Sequence, residues 1–201
     1  MPPLLNVFNP ILTRHADHEG HLYVEHPTEG WRVYLRGASF LHIATYSPDT
    51  FVIVKTTGKN TWDLPKGRTK AHEVGQKKNI TILEHLMDGA MREIYEESHI
   101  KDVRGLRHTG LVFQSQEADY KPNWYFQYHV FQGMITPAVY TEAERKFEWL
   151  RAHPKAFARM ATDRKEKDGI ALFTPGNLEK RTPIIKRWTP TIIYMYLKGL
   201  V

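Results

Sequence analysis

One stretch, Ile80 to Ser98, constrains the fold of this chain more than any other. Leu83, Leu86, Met87, Ala90, Met91 and Ile94 recur at the spacing of a single helical face, which predicts an amphipathic helix with that stripe against a core. Thr81, with Glu84 three residues later, matches a capping box at its start. The same helix carries Glu93, Glu96 and Glu97 at i, i+3 and i+4, within an arc of about 100°. Glu93 and Glu96 lie beside the apolar stripe, and Glu97 falls inside it. Like charges so placed repel, and a carboxylate aimed at a core is costly unless it is paired or metal-bound. A divalent cation would neutralise them. Carboxylate oxygens suit a hard ion such as Mg²⁺, which keeps waters and recruits substrate phosphates. The alternative is an ordinary acidic helix face, which the place of Glu97 in the stripe weakens.

The segments around this helix read mostly as strands. Leu22 to His26 and Trp31 to Gly37 flank the turn Pro27–Gly30, and Gly105 to Gln114 and Trp124 to Ile135 follow the helix. Ala38 to Tyr46 and Phe51 to Thr57 are β-branched and aromatic, and Ser47-Pro48-Asp49 between them predicts a hairpin. Gly58 to Lys78 reads as a basic loop. Thr141 to Leu150 is open between loop, strand end and helix, whereas Pro154 to Ala161 and Pro190 to Leu200 read as helices. Strands, one strongly patterned helix, more strands and then helices point to an α/β or α+β architecture. At 201 residues a single domain over 1–201 is expected, with an N-terminal extension over 1–20 and a C-terminal helical segment over 175–201.

Composition narrows the chemistry by exclusion. With no cysteine, a disulfide scaffold, a thiolate zinc site and a cysteine nucleophile are ruled out. The eleven histidines show no HExxH spacing, and neither a Walker phosphate loop nor GxGxxG is present. Pro2, Pro3, Asn6, Asn9 and Pro10 interrupt any signal-like N-terminus, so a secretory leader is not expected. The sequon Asn79-Ile80-Thr81 is accordingly discounted. No apolar run reaches the roughly 18 residues of a membrane span. The expected compartment is the cytoplasm, with the nucleus left open. The formal net charge is +6, compatible with a nucleic-acid, anionic-membrane or polyphosphate partner, or with a plain basic surface.

Arg92-Glu93-Ile94-Tyr95-Glu96-Glu97, with Glu84 seven intervening residues upstream and Pro65-Lys66-Gly67 before it, resembles the Nudix box. That box is a glycine, five residues, a glutamate, seven residues and REUxEExGU, with U a bulky apolar residue. Ile100 fills the last apolar position, and the lead-in Trp62-Asp63-Leu64-Pro65-Lys66-Gly67 also resembles the family. The chain departs from the pattern twice. Sixteen residues separate Gly67 from Glu84, so Arg68 to Leu83 contains an insertion. His99 stands where the box has its second glycine, and must adopt a strained backbone unless the turn differs.

The resemblance implies an α/β fold, an α/β/α sandwich with a mixed central sheet, and Mg²⁺-dependent hydrolysis of a diphosphate linked to another group, with Mn²⁺ as a possible substitute. It makes Glu96 and Glu97 metal ligands, and Glu93 a third ligand or a base acting on water. Arg92 would orient the glutamates, and Gly67 would offer a backbone carbonyl to the metal. Glu84 either supports the box or merely caps the helix. On one straight helix it lies about 12 Å along the axis from Arg92. Glu142, Glu144 and Glu148 are candidates for a further carboxylate from a later segment.

Between Lys55 and Lys78, seven Lys and Arg residues face only two acids, Asp63 and Glu73. A phosphate-rich substrate would profit from that excess; a solvated basic loop is the alternative. Lys55, Lys66, Arg68 and Trp62 are the substrate-binding candidates. Trp31, Trp124, Tyr125 and Tyr128 offer further rings for base stacking, although such residues more often fill a core. Lys-Gly after Pro is similar to Nudix branches acting on dinucleoside polyphosphates, inositol pyrophosphates or capped RNA. Three functions stand: hydrolysis of a small polyphosphate, which ranks first, mRNA decapping, and a catalytically silent module binding RNA or a nucleotide. No membrane partner is expected, and Thr189 to Leu200 is either a core helix or a dimer contact.

Overall fold

The computed structural model describes residues 2–72, 79–174, 176, 184–185 and 187–199. Glu73, Lys77 and Lys78 of the basic run lie outside the described residues, as does part of the 68–83 insertion. In chain order the elements are β1 (Thr13–Ala16), β2 (Leu22–Glu25), β3 (Arg32–Ile43), β4 (Phe51–Thr56), β5 (Thr61–Asp63), β6 (Lys66–Arg68) and α1 (Ile82–Ser98). There follow β7 (Arg104–Ser115), β8 (Trp124–Ile135), α2 (Pro137–Ala152), α3 (Pro154–Ala158), a 3-10 turn at Thr162–Lys165, β9 (Lys167–Phe173), β10 (Ile184–Ile185) and α4 (Thr189–Gly199).

The strands form two sheets. One runs β1-β2-β3-β8-β7 with β6 also on β3, and the other runs β10-β5-β4-β9. The second sheet is mixed, because β10 pairs parallel to β5 while β4 pairs antiparallel to β5 and β9. The mixed sheet with helices makes the fold class α/β, one of the two architectures that the element pattern leaves open and the one that the resemblance implies.

Two expectations are corrected, and one open reading is decided. Trp31–Gly37 and Ala38–Tyr46 are one strand, β3, and it does not form a hairpin with β4, because the two belong to different sheets. Ile53 and Val54 are fully covered, like Phe40 and Leu41. Runs buried on both faces satisfy their backbone wherever an edge is free, so the intervening turn does not select the partner. Gly58–Lys78 is not simply a loop, since β5 and β6 lie within it. Thr141–Leu150 is helical and belongs to α2, which Thr136 caps by accepting from the Val139 N–H, with Pro137 in its first turn. Strands β1, β9 and β10 carry no strong alternation and were not anticipated.

The chain divides into two compact units: Met1–Ala38, Gly67–Met91 and His108–Phe131, and Ser39–Lys66, Arg92–Arg107 and Gln132–Val201. In the first, Val24, Val33, Leu35, Leu86 and Phe126 are fully buried. Arg36 is also buried there. Its guanidinium lies 4.0 Å from the Phe126 ring centre and donates to Glu117 at 3.1 Å and to the Tyr120 hydroxyl at 3.2 Å. Arg32 lies between Tyr23 and Trp124, at 4.0 and 4.2 Å from their ring centres.

In the second unit Phe40 stacks on Tyr196 at 3.7 Å, and Phe51 stacks on Phe173 at 4.7 Å. The Tyr196 hydroxyl also lies 2.5 Å from Nε2 of His42. Ile192, Ile193 and Tyr196 are buried, so α4 is a core helix of this unit.

Candidate functional site

The carboxylates of interest sit in the second half of α1, where the chain passes into the second unit. The helix forms as its sequence predicts. Leu86, Ala90 and Ile94 are buried. Leu83 is 38% exposed, and His85, held by the Lys70 carbonyl at 3.0 Å, is the buried residue of that turn. Glu84 accepts from the Thr81 N–H at 2.9 Å while its own N–H donates to the Thr81 hydroxyl at 3.1 Å. This reciprocal pair is a capping box.

One turn before the helix end, Arg92 donates to Glu96 at 2.6 Å and to Glu93 at 2.9 Å. Glu97 is 4% exposed, accepts from the Lys66 N–H at 3.1 Å and lies 3.8 Å from the Lys167 ammonium. Asp63, at the end of β5, approaches the same region. Its carboxylate takes the Thr189 hydroxyl at 2.5 Å and the Leu64 N–H at 2.8 Å, with the Lys66 ammonium at 3.4 Å.

Burial pushes the Glu93 carboxyl up to about 7; Arg92 opposes the rise, and the charges of Glu96 and Glu166 add to it. Burial likewise drives Glu97 well above the carboxylate range, where Lys167 opposes and Glu93 and Asp63 reinforce the shift. These carboxyl groups are held where their ionised forms are poorly solvated.

This donor set fits a hard cation in its chemistry. Glu93, Glu96, Glu97, Asp63 and Glu166 outnumber Arg92, Lys66 and Lys167, and the raised proton affinity of Glu93 and Glu97 marks where positive charge is wanted. Among the described residues, however, no three His, Asp or Glu side chains converge closely enough to grip a metal ion. Arg92 holds Glu93 and Glu96 in its own fork, so a cation would have to draw them from it.

The other sequence candidates fall in several places. Lys55, on β4, pairs with Asp168 at 2.9 Å, and Trp62 lies opposite it on β5. Lys66 contributes its backbone to Glu97 and its side chain to Asp63. Gly67 and Arg68 belong to the first unit, where the Arg68 guanidinium lies 3.3 Å from His21 and 3.8 Å from Glu19. Glu142, Glu144 and Glu148 are on α2 rather than a loop, Glu142 and Glu148 are exposed, and Tyr140 beside Glu144 is pushed up to about 12 by its burial and by that carboxylate.

Of the proposed stacking rings, Trp124 is covered by Arg32 and Tyr128 is buried. Residues not anticipated from the sequence are Asp63, Glu166 and Lys167. For Glu166 and Lys167 the signal was the polar run Asp163 to Asp168, which has no hydrophobic period to draw attention to it, and Asp63 stands in the Trp62–Gly67 lead-in.

His99 takes φ 60, the left-handed conformation that the missing glycine would supply without strain. Its ring packs on Phe147 at 4.8 Å, and neither buried ring nitrogen has a hydrogen-bond partner. Burial, with Arg164 and Lys146 nearby, lowers the imidazole to about 4.

The chain aligns with the Nudix domain of NrtR from Shewanella oneidensis, a structure complexed with ADP ribose, at TM-score 0.51. The alignment covers 87% of this chain and 93% of that one, at 8% identity. The chain has the Nudix hydrolase fold. A Nudix hydrolase from Nitrosomonas europaea aligns over 83% of this chain and 89% of its own, at 14% identity and TM-score 0.47. No protein-family model and no curated protein matches the sequence. The fold likeness is thus structural, and the box residues are this chain's own.

Proposed function

We propose that this protein is a Nudix-type pyrophosphohydrolase that cleaves a P–O–P linkage in a small polyphosphate. The observation that carries this reading is the buried Glu97, with Glu93 beside it, on a helix whose Arg92-to-Glu97 run matches the Nudix box at every specified position. Glu96 and Glu97 are the proposed holders of Mg²⁺ or Mn²⁺, with Glu93 as a third ligand or as the base acting on water. Such an ion supplies charge neutralisation on the phosphates and acidifies a water.

The remaining roles fall to the chain. Glu93, whose proton affinity lies near neutrality, accepts the proton of the attacking water. The water oxygen bonds to one phosphorus as the bridging P–O bond breaks, and the electron pair leaves on the other phosphate. Arg92 fixes the directions of Glu93 and Glu96. Lys167 stabilises negative charge as it moves to the leaving phosphate. Glu166 is the best placed further carboxylate, because it acts on Glu93 electrostatically.

Pairing within the basic run supports a compact substrate. Lys55 and Lys66 are tied to Asp168 and Asp63, which favours a compact phosphate group over an RNA body. The cytoplasm is the proposed compartment, and no helix among the described residues is long and apolar enough to cross a membrane. The test is a panel of dinucleoside polyphosphates, ADP ribose, nucleotide sugars, inositol pyrophosphates and capped RNA with Mg²⁺ or Mn²⁺. Turnover of a small polyphosphate is expected. Binding without turnover across the panel would instead establish a silent ligand-binding module, and selective turnover of capped RNA a decapping enzyme.

A further inference from the structure

On an α-helix each residue turns about 100° from the last, so Tyr95 lies across α1 from Glu93 and Glu97, and His99 follows the helix end at Ser98. Tyr95 and His99 open onto a cavity of about 600 Å³, built wholly from the second unit, between the end of α1 and α2. That volume suits a small ligand.

Its walls are aromatic. Trp149 is 47% exposed, and its indole plane is fixed by stacking on His153 at 4.2 Å. The Tyr95 ring carries the Arg164 guanidinium at 4.8 Å, and the Trp149 ring carries the Lys146 ammonium at 5.2 Å. With Lys101 and Arg145, these cations outnumber the acids of the lining, Asp102 and Glu142.

Behind the wall lie polar atoms without partners. Both ring nitrogens of His99 and the Nε of Arg164 are buried and lack a partner. Such groups cost stability unless something binds them. A left-handed His99 costs more again, yet it is what brings this imidazole to the wall. The pocket thus offers fixed positive charge and flat ring faces together.

We propose that this cavity is a second ligand site, separate from the carboxylate centre, that binds a phosphate monoester attached to an aromatic ring, as in a nucleoside monophosphate. The phosphate sits between Lys146 and Arg164, and the ring lies against Trp149. The site does not depend on the hydrolase reading, since none of these residues is in the proposed catalytic set.

Calorimetric titration of the intact, metal-free protein tests it, with AMP and inorganic phosphate as probes. AMP should bind in the Glu97→Gln variant as in the wild type, more tightly than inorganic phosphate. Lys146→Glu and Trp149→Ala, both exposed positions, should each weaken AMP tenfold or more while circular dichroism stays native. The proposal is overturned if AMP does not bind at millimolar concentration, if it binds no better than inorganic phosphate, or if neither variant weakens it. Loss of binding in Glu97→Gln alone would also overturn it, by placing the ligand at the carboxylate centre.

Discussion

His99 separates two energetic effects that usually travel together. At φ 60 it pays for a conformation natural to glycine, and its ring gains contact with Phe147. His99→Ala and His99→Gly both delete the ring, but only alanine keeps the strain. Chemical denaturation should therefore find His99→Gly more stable than His99→Ala by about 1 kcal/mol; equal stabilities would mean that the left-handed turn is not strained. Glu93 gives a second test at this scale. Its folded proton affinity, near 7, lies above the ordinary 4.5, so the folded state binds more protons between those values. Its contribution is complete below about pH 4.5 and is lost as pH rises through 7. Metal-free wild type should accordingly lose more melting temperature between pH 5 and pH 8 than Glu93→Gln does. A variant with an equal or steeper decline would contradict the buried setting of this carboxyl.

At the scale of elements, α1 shows which sequence signals carry structure and which do not. The capping box is present in both directions, and Thr81→Ala should cost about 1 kcal/mol in an unfolding titration while leaving the rate of hydrolysis per folded molecule unchanged. A rate loss without a stability loss would assign Glu84 and its partner to the chemistry instead. The helix itself and α4 were legible because one face of each is marked by period, and β7 and β8 because turn signals bound their β-branched and aromatic runs. The β3–β4 hairpin was misread because both strands are buried on both faces, and a continuous apolar run does not encode its partner. Strands of two or three residues, such as β5, β6 and β10, take their form from neighbours in the sheet rather than from propensity. The same distinction holds at the site. Glu93, Glu96 and Glu97 were readable from spacing on one helix, whereas Asp63, Glu166 and Lys167 are brought there by long-range folding.

For the whole molecule, the charge balance takes on a different meaning once the side chains are placed. The basic run from Lys55 contributes much of the net +6, yet Lys55 and Lys66 are engaged by Asp168 and Asp63. Part of that surplus is therefore balanced within the fold. The acidic centre at the end of α1 is the opposite case, with the carboxylates of Glu93, Glu96, Glu97, Asp63 and Glu166 exceeding the cations of Arg92, Lys66 and Lys167. That imbalance is the central claim, and Glu97 is its most buried member. The decisive measurement is steady-state hydrolysis of the best panel substrate by wild type and Glu97→Gln at saturating Mg²⁺, with circular dichroism showing both to be folded. The account predicts that kcat falls at least a hundredfold in the variant, about 2.7 kcal/mol of transition-state stabilisation, and that wild-type activity disappears with chelator and returns with Mg²⁺ or Mn²⁺. A folded Glu97→Gln protein with near wild-type, metal-independent turnover would contradict it.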